Sequence, residues 1–333
     1  MSFARFTIQA LAVGASAFAA IAALAADSTP ASYPSKPISL VVPYAAGGSS
    51  DTRARQVGAK LATLLGKPVV VENKPGAAGN IGTDYIAKAN PDGHVIGIGN
   101  FAPMAVNKAL FPKLNYNPAT DLVPVALIEK GPLVLMVSAD KSPFKSYSDL
   151  VSWGKANPGQ LNYASAGAGG AFHLAGEMLE EIAGLQMVHV PYRGGGPATT
   201  DLIAGNVNFM FDMIPASLPY LKATPPKARA LAVANDKRLP QLPDVPTFAE
   251  LGVKGMEMSN WFGIVAPKGT PPAIVAKLND AINKALYEPD LAERITSQGN
   301  IVGGGTPEAF AAFVAAETAR WSKIVKEKDI RPE

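Results

Sequence analysis

The chain has 333 residues, no cysteine, 17% charged residues and a formal net charge of +3. This length can bury a stable core, and the lack of cysteine excludes disulfide scaffolds, zinc–cysteine sites and thiol chemistry. A charge this weak and this scattered excludes a nucleic-acid binder, which would concentrate basic residues on one face. The length itself predicts two domains.

Residues 1–26 have the pattern of a secretory signal peptide. Arg5 precedes an alanine-rich apolar run from Phe6 to Ala25, and Ala23-Leu24-Ala25 fits the small-x-small cleavage pattern. An uncleaved N-terminal anchor is the alternative, because the run approaches the length of a membrane span. We expect cleavage and export.

The mature chain begins with short apolar runs that alternate with helices. Pro37 to Val42 predicts a buried strand, and Asp51 to Leu65 carries its apolar residues on one helical face. Val69 to Val71 and His94 to Ile98 predict further strands, with a helix from Ile81 to Ala89 between them. Such alternation over short loops indicates βαβ units and a mainly parallel sheet.

A second run of βαβ units occupies the middle of the chain. Val123 to Ile128 and Leu133 to Val137 predict two strands, with a break from Glu129 to Pro132. Helices and strands then alternate as far as residue 234. The predicted helices are 148–157, 171–183, 197–204 and 219–223, and the predicted strands are 161–164, 188–190, 207–212 and 228–234.

The last part of the chain predicts one strand, Phe262 to Ala266, followed by helices alone. Helices Ile274 to Leu286 and Pro307 to Lys326 are amphipathic and can fold back over the first sheet. We therefore predict a first domain of residues 33–130 plus 256–333 and a second domain of residues 131–255. The chain would cross between them twice.

Two glycine-rich turns lead from a predicted strand into a predicted helix, one in each domain: Gly47-Gly48 and Gly167 to Gly170. A helix N-terminus exposes unpaired N–H groups and a partial positive charge, and glycine lets an anion approach the backbone. If both turns face one cleft, they form a two-sided carboxylate clamp, to which Ser49 and Ser165 add hydroxyl donors. An ordinary tight strand-to-helix connection is the alternative for either turn.

Two further polar residues are candidates for the same cleft. Asn80 either caps its helix or points into the cleft. Asp212 ends an apolar strand, where an acid is unfavourable unless it holds a water, a loop amide or a ligand ammonium. Phosphate is the competing anion, but no triphosphate-binding loop is present, and Phe172 stands where a dinucleotide fingerprint needs glycine or alanine. We expect no cofactor.

Catalysis is not expected from these residues. The chain has three histidines without metal-ligand spacing, so we expect no metal site. Ser165 with His173 and Asp212 is the nearest approach to a serine hydrolase, but Tyr163 stands where a nucleophile elbow needs glycine. His173 also precedes Glu177 by one helical turn, which predicts a local ion pair between them.

Seven segments together closely resemble the Bug (TctC-like) family, the extracytoplasmic solute receptors of tripartite tricarboxylate transporters. They span essentially the whole mature chain, and their combination is specific although each alone is weak. The segments are Tyr33-Pro34-x-Lys36-Pro37-Ile38, Val42-Pro43-Tyr44-x-x-Gly47-Gly48-x-x-Asp51, Gly66-x-Pro68 through Gly79-Asn80-Ile81-Gly82, Pro91-Asp92-Gly93, Asn162-Tyr163-x-Ser165-x-Gly167-x-Gly169-x-x-x-His173, His189-Val190-Pro191-Tyr192-Arg193-Gly194 and Phe211-Asp212.

The resemblance implies an α/β, two-lobed periplasmic binding protein of type II, a Venus flytrap with mixed sheets flanked by helices. It implies a periplasmic receptor that captures a small organic carboxylate in the interdomain cleft and delivers it to integral-membrane permease subunits. We expect a monomer and no nucleic-acid partner. An exported serine hydrolase and a ligand sensor for a membrane kinase are the alternatives.

The matching positions also imply where the carboxylate binds, although they do not name it. Tyr44 stands where the family more often has phenylalanine, which adds a hydroxyl near the ligand. The expected ligand-binding residues are Pro43, Tyr44, Gly47, Gly48, Ser49, Asp51, Asn80, Ser165, Gly167, Gly169, His173, Tyr192 and Asp212.

Overall fold

The computed structural model describes residues 33–44, 46–47, 49–111, 113–192, 195–256, 258–327 and 330–331. The predicted signal peptide and Gly48 therefore lie outside the described residues. The chain divides into two compact units, Met1–Ser35 and Lys36–Glu333. The three described residues of the first unit contain no helix or strand, and the fold below is that of the second unit.

Ten strands of the described chain form one mixed framework, in the order β2-β1-β3-β9-β4-β7-β5-β6, with β8 and β10 paired to β4. β1 runs parallel to β2 and β3, and β5 runs parallel to β6 and β7. The other pairs are antiparallel, so the expected parallel pairing holds only within the two sets of βαβ units. The strands are β1 (Ile38–Val42), β2 (Val69–Asn73), β3 (Val95–Asn100), β4 (Leu122–Ser138), β5 (Leu161–Ser165), β6 (Met187–Pro191), β7 (Phe209–Met213), β8 (Ala228–Ala234), β9 (Ser259–Pro267) and β10 (Ile301–Gly304).

Helices connect these strands, together with a 3₁₀ turn at Ala77–Gly79 and a π-helix at Ala102–Val106. Ser146 and Asp149 form a capping box at the start of α5, which fixes that helix end locally. The helices are α1 (Ser49–Leu65), α2 (Asn80–Ala87), α3 (Asn107–Leu110), α4 (Pro118–Asp121), α5 (Tyr147–Ala156), α6 (Ala171–Ala183), α7 (Gly195–Ala204), α8 (Ile214–Leu221), α9 (Pro272–Leu286), α10 (Pro289–Ser297) and α11 (Pro307–Glu327).

Two expectations about the helices differ from the structure. The helix predicted at 219–223 is α8, which begins earlier because Pro215, rather than Pro219, occupies its first turn. The C-terminal part is not purely helical after β9, since α10 and β10 stand between α9 and α11. Gly303 suits β10 because a Cβ there would lie 2.5 Å from the carbonyl oxygen of Leu127.

β4 is one continuous strand that belongs to two strand sets. Residues 122–132 pair with β9, whereas residues 133–138 pair with β7 and β8. The prediction of two strands with a break at Glu129 to Pro132 is therefore wrong. Glu129, at the start of the expected turn, is only 1% exposed. Its ion pair of 2.8 Å with Arg53 of α1 compensates the buried charge. We call β1–β3, β9 and β10 the first strand set and β5–β8 the second strand set.

Helix α11 packs against the first strand set, as expected for a C-terminal helix that folds back. Phe310 meets Trp261 of β9 edge to face at 5.8 Å, and Phe101 meets Trp321 in the same way at 5.1 Å. A Cβ on Gly263 would come within 2.2 Å of the Phe310 ring, so glycine is needed for this approach. Within the described ranges, no helix combines the length and apolarity required to cross a bilayer.

Candidate functional site

A cavity of about 770 Å³ lies where the carboxyl ends of parallel strands from both sets are brought together. This is where open α/β sheets bind their ligands, because strand-to-helix loops converge there. The described lining residues are Tyr44, Gly47, Ser49, Ser50, Ala77, Ala78, Asn100, Phe101, Ala102, Phe111, Ala166, Gly167, Ala168, Gly170, Ala171, Phe172, Gly195, Gly196, Thr199, Asp212, Met213, Pro215, Ala216, Tyr220, Asn260 and Phe262.

Six strand-to-helix junctions contribute residues to this cavity, whereas the predicted glycine clamp used two of them. They follow β1, β2 and β3 in the first strand set and β5, β6 and β7 in the second. Residues from the first turns of α1, α6, α7 and α8 are among the lining residues, so helix N-termini with their partial positive charge adjoin the space. No lysine or arginine is found among the described lining residues. The cavity therefore favours an anion through backbone donors.

The first predicted glycine turn is held in place by Asp51. The N–H of Gly47 donates to Oδ2 of Asp51 at 2.9 Å, and Arg55 and Asn73 donate to the same carboxylate at 2.9–3.0 Å. Burial raises the pKa of Asp51, but these hydrogen bonds outweigh burial and hold the pKa below its usual value. Asp51 is 3% exposed and does not line the cavity, so it shapes the loop that Gly47 and Ser49 present.

A chain of polar side chains crosses the cavity wall at the strand ends. The hydroxyl of Tyr44 donates to Oδ1 of Asn100, and Nδ2 of Asn100 donates to Oδ1 of Asn260 at 2.8 Å. Nδ2 of Asn260 in turn lies 3.6 Å from Sδ of Met213 in the second strand set. Burial raises the pKa of Tyr44 far above its ordinary value. The extra hydroxyl of Tyr44 is thus committed to Asn100.

The second glycine turn is organised by Ser165 and His173. Oγ of Ser165 accepts from the N–H of Gly167 at 3.1 Å and shares a hydrogen bond of 2.6 Å with Nε2 of His189. The N–H of Gly169 donates to Nδ1 of His173 at 2.9 Å. Ser165 is fully buried and His173 is 5% exposed, and neither lines the cavity. Both lie behind the turn and hold the backbone that faces the cavity.

Stacked rings support this turn from beneath. His173 and His189 stack with centroids 3.9 Å apart, and Tyr163 stacks on His189 at 5.0 Å. Nε2 of His173 lies 3.4 Å from Oε1 of Glu177, which confirms the predicted local pair, and Tyr163 donates to the same oxygen at 2.6 Å. Burial and the neighbouring His173 lower the pKa of His189 to about 4, against the opposing effect of Glu177. His189 is therefore neutral at physiological pH.

Among the described residues that line the cavity, Asp212 is the one with a carboxyl group. Its side chain is 3% exposed, Oδ1 accepts from the N–H of Met213 at 2.8 Å, and Oδ2 has no hydrogen-bond partner among the described residues. Burial raises the pKa of Asp212 to about 7, opposed by the hydrogen bond from Met213. Asp212 therefore lines the cavity and carries a buried polar atom that no described residue satisfies.

The other expected site residues divide into lining and supporting positions. Tyr44, Gly47, Ser49, Gly167 and Asp212 line the cavity. The supporting positions, which do not line it, are Pro43, Asp51, Asn80, Ser165, Gly169, His173 and Tyr192.

Asn80 and Tyr192 are each engaged away from the cavity. Oδ1 of Asn80 accepts from Asn107 at 2.6 Å and from Tyr116 at 3.0 Å. The hydroxyl of Tyr192 donates to Asp201 at 2.7 Å, and its backbone N–H donates to the carbonyl of Ser165. Tyr192 therefore ties the segment after β6 to the end of β5 and to α7.

Several lining residues were not expected from the sequence. Asn100, Phe101, Thr199 and Asn260 belong to no motif, and the aromatic side chains of the wall come from both strand sets. Asn100 and Phe101 could have been found from their position at the end of a predicted strand. Asn260 could not, because it is the second residue of β9, ahead of the predicted strand, and its approach to the cavity depends on the antiparallel pairing of β9 with β3.

The geometry does not support hydrolysis. Ser165 is buried away from the cavity, and its histidine partner is His189, 2.6 Å away, rather than His173. Oδ1 of Asp212 is bound to the N–H of Met213. Within the part of the chain that the structure describes, no group of three or more His, Cys, Asp or Glu residues is arranged to hold a metal ion.

The fold and the site define a two-lobed solute-binding receptor of the type II periplasmic kind, not an enzyme. Residues 53–330 match the TctC family, described as the tripartite tricarboxylate transporter family receptor. The chain belongs to this family, which confirms the resemblance to Bug proteins.

Three solved structures show what the chain is similar to. A protein of R. palustris solved with adipate is 37% identical with a TM-score of 0.83, covering 90% of this chain and all (100%) of that one. The periplasmic binding protein BugD is 36% identical with a TM-score of 0.80 and the same coverage of 90% and 100%. MatC from Rhodopseudomonas palustris with bound malate is 36% identical with a TM-score of 0.79, covering 88% of this chain and 100% of that one.

Proposed function

We propose that this protein captures a small organic carboxylate in the cavity between its two strand sets and delivers it to the permease subunits of a tripartite tricarboxylate-type transporter. The observation that carries the proposal is the ring of six strand-to-helix connections around one cavity, with backbone donors and no described lysine or arginine. Relatives solved with adipate and malate support a carboxylate as the ligand.

The proposed domains are residues 33–130 plus 256–333 and residues 131–255. Their support is the pairing of β4, which changes partners from β9 to β7 and β8 near Pro132, and the start of β9 at Ser259. Rotation at these two crossings would close the cavity around the ligand. Similarity to periplasmic binding proteins and the predicted signal peptide support a periplasmic protein, which we propose to be a monomer.

The ligand-binding residues in this proposal act in two ways. Tyr44, Gly47, Ser49, Gly167 and Asp212 would contact the ligand or its waters, since they line the cavity. The other predicted site residues that the structure describes would hold the lining residues in place. Gly48 follows Gly47 in the sequence of the first turn.

A thermal-shift screen against carboxylic acids, beginning with adipate and malate, tests the proposal. A ligand that binds only the folded state raises the melting temperature with concentration. Ala168→Asp places a negative charge on the cavity wall and should abolish the shift, whereas Ala59→Asp on the exposed face of α1 should not. The absence of a shift with every acid, or an equal shift in Ala168→Asp, would refute a carboxylate site here.

A further inference from the structure

Asp212 carries a buried carboxyl oxygen that no described residue satisfies. Asp212 is only 3% exposed, and its Oδ2 makes no hydrogen bond to any described residue. Buried polar atoms in native proteins are nearly always paired, so an exception on a ligand cavity points to a partner supplied by the ligand. Asp212 lines the cavity, so a ligand that fills the cavity can supply the missing hydrogen-bond partner.

The surroundings of Asp212 favour an anion at that contact. Residues from the first turns of α7 and α8 line the same cavity, and a Cβ on Gly195 would lie 3.9 Å from Oδ1 of Asp212. A ligand carboxylate held by these helix N-termini lies beside the carboxyl group. Two carboxylates this close cannot both remain ionised without a strong penalty, and sharing a proton removes it.

The described elements packed against Asp212 bring no charged side chain to this wall. β4 contributes Val134 opposite Asp212, α7 contributes Gly195 and Thr199, and β9 contributes Asn260. The titratable side chains on the cavity wall are Tyr220 of α8 and Tyr44, which donates to Asn100. On α6, His173 and Glu177 are engaged with each other behind the glycine turn. Burial already raises the pKa of Asp212 to about 7.

We propose that Asp212 binds the ligand as a neutral carboxylic acid, donating a hydrogen bond from Oδ2 to a ligand carboxylate oxygen. The proton comes from solvent, so one proton is taken up with the anion at neutral pH and above. The site then selects carboxylates over ligands that place an ammonium group at Asp212, because an ammonium requires the ionised form. This inference rests on the proposed carboxylate function and names the chemistry that the site accepts.

Isothermal titration calorimetry with adipate, and with malate as second probe, tests the inference between about pH 6 and about pH 8.5. We expect proton uptake in buffers of different ionisation enthalpy, and an affinity that falls about tenfold per pH unit above about pH 7. Asp212→Asn supplies an amide donor without a titratable proton, so its affinity should not vary with pH. Asp280→Asn, the same change on the exposed face of α9, should keep the wild-type slope.

Wild-type affinity that is independent of pH, or that improves as pH rises, would overturn the inference. So would tighter binding of glutamate than of glutarate, since the two differ only by an ammonium group.

A ligand-free measurement separates this inference from the proposed function. In ¹³C NMR of the carboxyl groups, the resonance that Asp212→Asn removes should titrate near pH 7. Titration near the ordinary value of about 4 would overturn the inference even if carboxylates bind. If neither probe binds at any pH, the proposed ligand range fails, and this resonance still decides how Asp212 is protonated.

Discussion

The N–H of Gly169 donates a hydrogen bond of 2.9 Å to Nδ1 of His173, four residues further along the chain. Because Nδ1 accepts, a neutral His173 carries its proton on Nε2, which lies 3.4 Å from Oε1 of Glu177. One ring therefore fixes both the glycine turn and the first part of α6. Gly169 has a φ of +75°, and a Cβ there would lie 2.2 Å from the side chain of Leu110, so this turn has little freedom to adjust.

Replacing His173 should weaken ligand binding although the ring does not line the cavity. Asparagine can place its amide oxygen near the position of Nδ1, whereas the longer glutamine cannot. We expect His173→Gln to lose the Gly169 hydrogen bond, about 1 kcal/mol or roughly fivefold in affinity, and His173→Asn to lose less. Calorimetry with a carboxylate from the screen measures both. Equal affinities in the two variants would show that the Gly169 contact does not control binding.

Ser165→Ala should lower stability and affinity together. Its hydroxyl accepts from Gly167 at 3.1 Å and bonds to His189 at 2.6 Å within the buried interior, so removal leaves a buried N–H unsatisfied at a cost of about 1–3 kcal/mol. Melting temperature and calorimetric affinity are the two measurements, with Ser152→Ala on the exposed face of α5 as control. Loss of affinity with an unchanged melting temperature would instead indicate direct contact with the ligand.

Most of the fold could be predicted from the sequence because the signals for its strands, helices and turns lie within short segments of the chain. The alternating βαβ units and the glycine turns at Gly47 and Gly167 lie where the pattern places them. The continuity of β4 could not be predicted from its own segment of the sequence. Glu129 has the sequence character of a turn residue, and it is buried in a strand only because it pairs with Arg53, far earlier in the chain.

The candidate site shows the same limit. Motif matching brought together residues of the correct loops, but it could not separate Gly167, which lines the cavity, from Ser165, which holds Gly167 from behind. That distinction depends on which way each side chain points after the strand ends. Asp212 was recognisable because an acid at the end of an apolar strand is unfavourable without a purpose.

Gly176→Ala should destabilise the protein through the ring stack. A Cβ at this position of α6 would lie 2.1 Å from Cε2 of Tyr163, so the helix or the ring must move. Overpacking of this kind costs about 1–3 kcal/mol. Gly196→Ala in α7, where no atom lies within 4 Å of the added Cβ, is the matched control for stability. Thermal denaturation that gives the same melting temperature for both variants would contradict the tight packing of α6 on Tyr163.

His189 should make the protein less stable in acid. Burial and His173 lower its pKa to about 4, below the ordinary 6.5, so the unfolded chain binds more protons between these values. The stability contributed by neutral His189 is complete above pH 6.5 and is lost as pH falls towards 4. His189→Gln, which keeps a side-chain amide near Ser165, should flatten this part of the curve of unfolding free energy against pH. An unchanged slope would show that His189 is not held neutral by the fold.

Asp212 should make the protein less stable as pH rises, over a pH range that overlaps the range of His189. Its pKa rises from 3.8 to about 7 in the folded protein, so the folded state binds more protons between these values and stability falls as pH rises through them. Asp212→Asn remains neutral, and its advantage over the wild type should therefore grow from pH 4 to pH 7 and then level off. The full difference is on the order of 4 kcal/mol, since each pH unit is worth about 1.4 kcal/mol.

Urea unfolding of the wild type, Asp212→Asn and the exposed control Asp280→Asn at successive pH values isolates this contribution. The contribution of His189 is common to all three proteins and cancels in the difference between them. Parallel curves for the wild type and Asp212→Asn would mean that Asp212 is ionised in the folded receptor. The orphaned Oδ2 would then need a donor, and an ammonium or hydroxyl group of the ligand would become the expected partner in place of a carboxylate oxygen.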